Sequence, residues 1–211
     1  ALLALVTPGS PMIDDFTQLL QSIVASLRLS DRHTCNHICN HVATALDKPV
    51  TSARLVKDAP ASGPRISLET VGLEGHDAHA DLVHNIQKTN PKLAWREPGF
   101  GRIPDTIASH LAVCEIIGPN GQIAREDIRV GLLHQDAHVT YPSHNHAAEE
   151  VYLVLTGPQE WQKDNDAWYE GSSGDFIHHL PYQPHAIRTA RTPLLALWVW
   201  TGNIDGSTYR I

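Results

Sequence analysis

From about residue 108 onward the chain breaks into short runs of β-branched and aromatic residues, and this rhythm limits the fold more than any other feature. The runs are ASHLAVCEIIG, EDIRVGLLH, EEVYLVLTG, DFIHHL, HAIRTA and LLALWVW. Turn formers such as GPNGQ and EGSSGD separate them. Strands of this length and spacing predict an antiparallel sandwich or barrel. Strands that close around a lumen can hold a metal ion and a small ligand inside it.

The preceding stretch reads as helical. Phe16, Leu19, Leu20, Ile23, Val24 and Leu27 recur with a period near that of an α-helix, with Asp14 or Asp15 as the N-cap. A second helix is expected over roughly 31–46, stopping before Pro49, and a third over GHDAHADLVHNIQKTN, ended by Pro91. The expected organisation is a helical segment over 12–107 packing on a β-barrel over 108–211. Residues 1–11, ALLALVTPGSP, are read as a remnant of cloning, with Met12 as the native start. Loop 58–65 and the stretch EPGFGRIPD are rich in Gly and Pro and are candidates for gating a site.

Composition narrows the function. A formal net charge of -7 gives no electrostatic footprint for nucleic acid or an anionic membrane. No apolar run approaches the ~20 residues that a transmembrane helix needs. Three cysteines, Cys35, Cys39 and Cys114, are too few for a disulfide scaffold and fit a reducing, cytoplasmic setting. Fourteen histidines are many for 211 residues, and their grouping is informative.

The decisive group lies in YPSHNHAAEEVYLVLTG. His144 and His146 are two apart, so on a strand they share a face. A short turn through Ala147–Ala148 brings Glu150 back to oppose them from the next strand. Two imidazoles and a carboxylate form a mixed donor set suited to a divalent transition ion, Zn, Fe or Mn, rather than to Ca or Mg. A fourth ligand is expected from a distant strand, and His185 in GDFIHHLPYQPHAIRT is the candidate. Glu149 is a weaker alternative to Glu150. His178 and His179 are adjacent and cannot both point inward; they are read as surface residues or supports of the ligands. The stripe His33, His37, His41 is read as a helix face, and His76, His79 and His84 as surface residues.

These residues resemble the cupin superfamily, an antiparallel double-sheet jelly roll. The first cupin motif, Gly-x5-His-x-His-x3,4-Glu-x6-Gly, is matched from His144 to Gly157, although His138 stands where its leading Gly belongs. The second motif is matched loosely, with Pro181 four residues before His185 and Thr189 in place of its Asn.

Tyr152 follows Glu150 by two residues, so alternation turns its phenol into the same lumen. A nearby divalent cation favours a phenolate. Trp198 and Trp200 share a face and, if it is inward, form an aromatic wall able to attract a cation. A metal, a tyrosine base and an aromatic wall suit a small zwitterionic carboxylate, losing an α-proton and then a leaving group by β-elimination.

Here the chain resembles a narrower group, the cupin dimethylsulfoniopropionate lyases of marine bacteria, the Q type in particular. The resemblance implies cleavage of dimethylsulfoniopropionate to dimethyl sulfide and acrylate. It implies Tyr152 as the base, His146, Glu150 and His185 as ligands with His144 beside them, and Tyr141 and a late Trp lining the substrate site. Two other readings remain open on the residues alone: a cupin dioxygenase acting on a small organic substrate, and a non-catalytic cupin that binds a small molecule.

Overall fold

The structure is a computed structural model that describes residues 11–47, 66–68 and 77–211. The suggested cloning remnant (save residue 11), loop 58–65 and His76 lie outside the described residues.

Among the described residues, three α-helices precede the first strand: α1 (Pro11–Arg28), α2 (Asn36–Asp47) and α3 (Ala80–Thr89). The six residues of the expected α1 face are all buried. The expected N-cap is corrected, because Asp15 lies inside α1. Its carboxylate instead meets Lys88 at 2.9 Å and also Lys92, tying α1 to α3 and the turn after it. The second helix starts later than expected. A 3-10 turn at Leu29–Arg32 precedes it, and its last residue is Asp47.

Among the described residues, eleven strands follow. They are β1 (Trp95–Arg96), β2 (Leu111–Gly118), β3 (Ile123–Ala124), β4 (Arg129–Gln135), β5 (Thr140–His144) and β6 (Ala148–Val154). The rest are β7 (Gln159–Lys163), β8 (Tyr169–Gly171), β9 (Phe176–His179), β10 (His185–Arg188) and β11 (Leu194–Gly202). Strand β1 pairs with β2, so the sheet takes in two residues from before position 108. The larger sheet runs β1-β2-β4-β11-β6-β9, with β3 beside β2; the smaller runs β5-β10-β7-β8.

The larger sheet separates two apolar cores. On β11, Leu195, Leu197 and Val199 pack in one cluster with α1, α2 and α3. Leu194, Ala196, Trp198 and Trp200 alternate to the other face and join Tyr141, Tyr152 and Trp161 in the lumen. Period-two alternation along one strand therefore feeds both cores. The arrangement leaves β11 buried along both faces until Gly202.

Two departures from the cupin motifs have local explanations. His138, at the place of the motif glycine, has φ 61, a left-handed conformation that glycine adopts without a Cβ penalty. Thr189, in place of the motif Asn, accepts from Val139 N at 3.0 Å and donates to the Asp136 carbonyl, closing the end of β10 onto the loop before β5.

Candidate metal centre and active site

The site is built where the two sheets face each other. In the smaller sheet, His185 of β10 is directly opposite His144 of β5. The register then shifts: Ile187 faces Tyr141, so β5 carries one extra residue between Tyr141 and His144. Pro142, which has no N–H to give a ladder, sits in this bulge. Its carbonyl accepts a hydrogen bond from His144 Nδ1 at 2.8 Å. From the larger sheet, β6 brings Glu150 to the same place, and His146 comes from the turn between β5 and β6.

His146, Glu150 and His185 are buried, and each offers one donor atom within 4.8 Å of the others. Glu150 Oε2 lies 3.0 Å from His146 Nε2 and 3.2 Å from His185 Nε2. The opposite nitrogens fix the tautomers. His146 Nδ1 faces the Ala148 carbonyl at 3.1 Å, and His185 Nδ1 faces the Gln183 carbonyl at 2.8 Å. A carbonyl can only accept, so each Nδ1 carries a hydrogen and each ring turns its Nε2 to the centre. Two imidazole nitrogens and a carboxylate oxygen then converge in a buried space, a donor set suited to a divalent transition ion. Burial pushes the Glu150 carboxyl up, yet His146 and His185 together hold it well below the usual range. The residues present therefore fit a divalent ion, and the carbonyl-anchored Nδ1–H groups are the usual supports of metal-binding imidazoles.

The remaining expected site residues gather around this centre. His144 is buried, with its ring 4.1 Å from that of His185 and stacked at 4.2 Å on Tyr141. It lies outside the tight three-donor group, so its placement is beside that group. Tyr141, Tyr152, Trp198 and Trp200 all line the cavity over the centre. Trp200 Nε1 donates to Glu150 Oε1 at 2.7 Å, so its indole is a support of the carboxylate as well as a wall. Trp198 Nε1 is buried and has no acceptor among the described residues. Burial first, and then the Glu150 carboxylate beside it, push the Tyr152 phenol well above its ordinary range.

Strands β6 and β9 carry a second alternation. Glu149 points away from the lumen and meets His178 Nε2 at 2.7 Å, while His37 of α2 lies 3.6 Å from the same oxygen. His179 turns inward instead. It is wholly buried and stacks on His185 at 4.1 Å with planes 13° apart. His84 is exposed as expected, but the expectation for His79 is corrected: it is buried, with its ring 6.1 Å from that of Phe176.

Phe100 and Tyr209, which the sequence did not single out, also line the cavity. Phe100 belongs to the Gly/Pro-rich stretch marked as a possible gate. Gly99, Phe100 and Gly101 all have left-handed φ, at 71, 52 and 76°. The Phe100 ring packs under the guanidinium of Arg96 at 5.3 Å and that of Arg129 at 5.5 Å. Tyr209 belongs to the segment after β11 and bears no motif; its hydroxyl lies 3.1 Å from that of Tyr141.

Two mainly antiparallel sheets facing across a lumen, with a His/His/Glu group between them, define a cupin. Within that class the chain belongs to the dimethylsulfoniopropionate lyase family, whose model matches residues 16–196. A relative from Ruegeria pomeroyi, dimethylsulfoniopropionate lyase DddQ, is 32% identical over 112 residues, covering 53% of this chain and 56% of the relative. The chain spans about half the length of the curated relatives it matches. The crystal structure of DddQ from Ruegeria pomeroyi superposes with a TM-score of 0.71 at 24% identity, covering 91% of this chain and 93% of that one. A structure described with the dimethylsulfoniopropionate lyases RdDddP and RnDddQII gives 0.65 at 21% identity, covering 95% and 98%. At these identities the superpositions speak for a common fold. No helix among the described residues is long and apolar enough to cross a membrane, and Cys35, Cys39 and Cys114 are all buried free thiols.

Proposed function

We propose that the protein is a metal-dependent carbon–sulfur lyase that cleaves dimethylsulfoniopropionate to dimethyl sulfide and acrylate. The observation that carries this reading is the position of Tyr152. It follows Glu150 by two residues on the lumen face of β6 and lines the same cavity. Family membership supplies the substrate class.

A divalent transition ion held by His146, Glu150 and His185, with His144 beside them, would supply Lewis acidity that favours a phenolate and steadies charge on a bound carboxylate. The chain's own residues do the rest. Tyr141, Trp198 and Trp200 hold the substrate, the indole faces accepting its sulfonium end. Tyr152, as phenolate, takes a proton from the carbon next to the carboxylate. The electron pair left behind forms the carbon–carbon double bond, the carbon–sulfur bond breaks, and dimethyl sulfide leaves with that bonding pair. Acrylate remains, and Tyr152 returns its proton to solvent. The buried lumen keeps water away from the carbanionic charge while it exists.

Headspace measurement of dimethyl sulfide tests this directly. Metal-loaded protein is expected to release it, chelator to stop the release, and strict anaerobiosis to leave it unchanged. No release by metal-loaded protein, with oxygen consumed on a small organic substrate, would replace this reading with the dioxygenase one.

A further inference from the structure

Segment 203–211 is clamped over the ligand-bearing turn. Asn145, the residue between His144 and His146, forms an isolated antiparallel bridge with Arg210. Asn145 N donates to the Arg210 carbonyl and Arg210 N to the Asn145 carbonyl, each at 2.9 Å. Ala147 N donates to Thr208 Oγ1 at 3.1 Å. On the other side, Arg102 donates from Nη1 to the Gly206 carbonyl at 3.1 Å, and Arg129 Nε to the Ile204 carbonyl at 2.9 Å. Gly206 is packed so closely that a Cβ would lie 2.5 Å from the Phe100 ring.

The bridge determines where the neighbouring side chain goes. With Arg210 paired to Asn145, Tyr209 turns into the lumen, where it is 2% exposed. Its ring is 5.3 Å from that of His144, and its hydroxyl meets the Tyr141 hydroxyl at 3.1 Å. Tyr141 is already held on one face by its stack on His144. Among the described residues, the Tyr209 hydroxyl is the side-chain hydrogen-bond partner of the Tyr141 hydroxyl.

We propose that Tyr209 is a positioning residue of the active site, acting through Tyr141. Its hydroxyl fixes the direction in which the Tyr141 hydroxyl faces a bound carboxylate-bearing substrate, which makes segment 203–211 a working wall of the pocket. This role rests on the lyase reading for its kinetic test, and a binding test separates the two.

The experiment is a double-mutant cycle of Tyr209→Phe and Tyr141→Phe. Both changes keep the rings and their packing, and thermal unfolding checks that each variant folds as the parent does. Loss of one neutral hydrogen bond in the bound state predicts a rise in KM for dimethylsulfoniopropionate of about 3- to 10-fold in Tyr209→Phe, with kcat within about twofold. In the Tyr141→Phe background the second change is expected to do nothing further. The same cycle is run on binding of 3-(trimethylammonio)propionate, an isostere with a poor leaving group, followed by tryptophan fluorescence. If no dimethyl sulfide forms but the binding cycle shows the same coupling, the lyase reading fails and the role of Tyr209 stands. Wild-type constants in Tyr209→Phe, effects of the two changes that simply multiply, or no binding of the isostere by the parent protein would each overturn it.

Discussion

The Trp200 indole donates its only hydrogen to Glu150 Oε1 at 2.7 Å, on the carboxylate whose other oxygen meets His146 and His185. The two residues are directly opposite on neighbouring strands β11 and β6. One oxygen is thereby tied to the wall and the other is left to face the imidazoles. A carboxylate held this way loses little rotational freedom when it binds an ion.

Trp200→Phe is therefore expected to keep the aromatic wall but release the carboxylate. Removing a support of this kind typically costs about 10- to 100-fold in metal affinity. Competition with a chromophoric chelator measures it. Affinity equal to that of the parent would mean that the indole hydrogen bond does not organise Glu150.

Tyr152→Phe separates binding from chemistry. The ring stays packed against Trp161, 5.2 Å away between centroids, so the lumen keeps its shape. Metal content is expected to be retained while kcat for dimethyl sulfide release drops by about 10²- to 10⁴-fold, the usual range for a lost general base. Elemental analysis and headspace chromatography on one preparation give both numbers. Undiminished release would remove Tyr152 from the mechanism.

How much of this was legible in the sequence depended on whether a local pattern carried the information. His144, His146, Glu150 and Tyr152 were found because strand alternation and a compact spacing place them together within nine residues. The direction of Trp198 and Trp200 was not readable. LLALWVW is apolar on both faces, because the helices cover one side of β11 and the lumen occupies the other, so alternation could not say which was which. Strands β7 and β8 are polar and lie toward one edge of the smaller sheet, and they gave no apolar signal. Tyr209 depends on a bridge between residues 65 positions apart in the chain, Asn145 and Arg210, which no local pattern encodes.

Gly131 tests the seat of Trp198. The two face each other across β4 and β11, and a Cβ on Gly131 would lie 2.5 Å from the indole and 2.1 Å from the Cys114 carbonyl. The backbone carbonyl cannot rotate away as a flexible side chain can. Gly131→Ala is expected to lower stability by about 1–3 kcal/mol, the common cost of overpacking a core, and to alter the near-ultraviolet tryptophan signal. Urea unfolding with circular dichroism reads both, and a variant equal to the parent in each would show that the strands adjust freely.

Acid should weaken the metal-free protein earlier than ordinary carboxylate titration would. Burial first, and His185 second, hold His144 and His179 well below the usual imidazole range. Burial also lowers His134, against a smaller opposing pull from Asp136. In the unfolded chain each takes up a proton as pH falls through 6.5, while in the folded protein the uptake comes at lower pH. The unfolded state then binds more protons, so stability declines with falling pH, by about 1.4 kcal/mol per pH unit for each histidine within that window. Glu150 acts in the same sense at lower pH. Its folded-state value lies well below 4.5, so the stability it contributes is present above 4.5 and is lost as pH falls through the folded value. Urea midpoints of chelator-treated protein at pH 7.5, 6.5 and 5.5 should fall steadily, and saturating metal should steepen the fall because it binds only unprotonated imidazoles. A midpoint that held or rose toward pH 5.5 would mean that these imidazoles are not kept neutral by the fold.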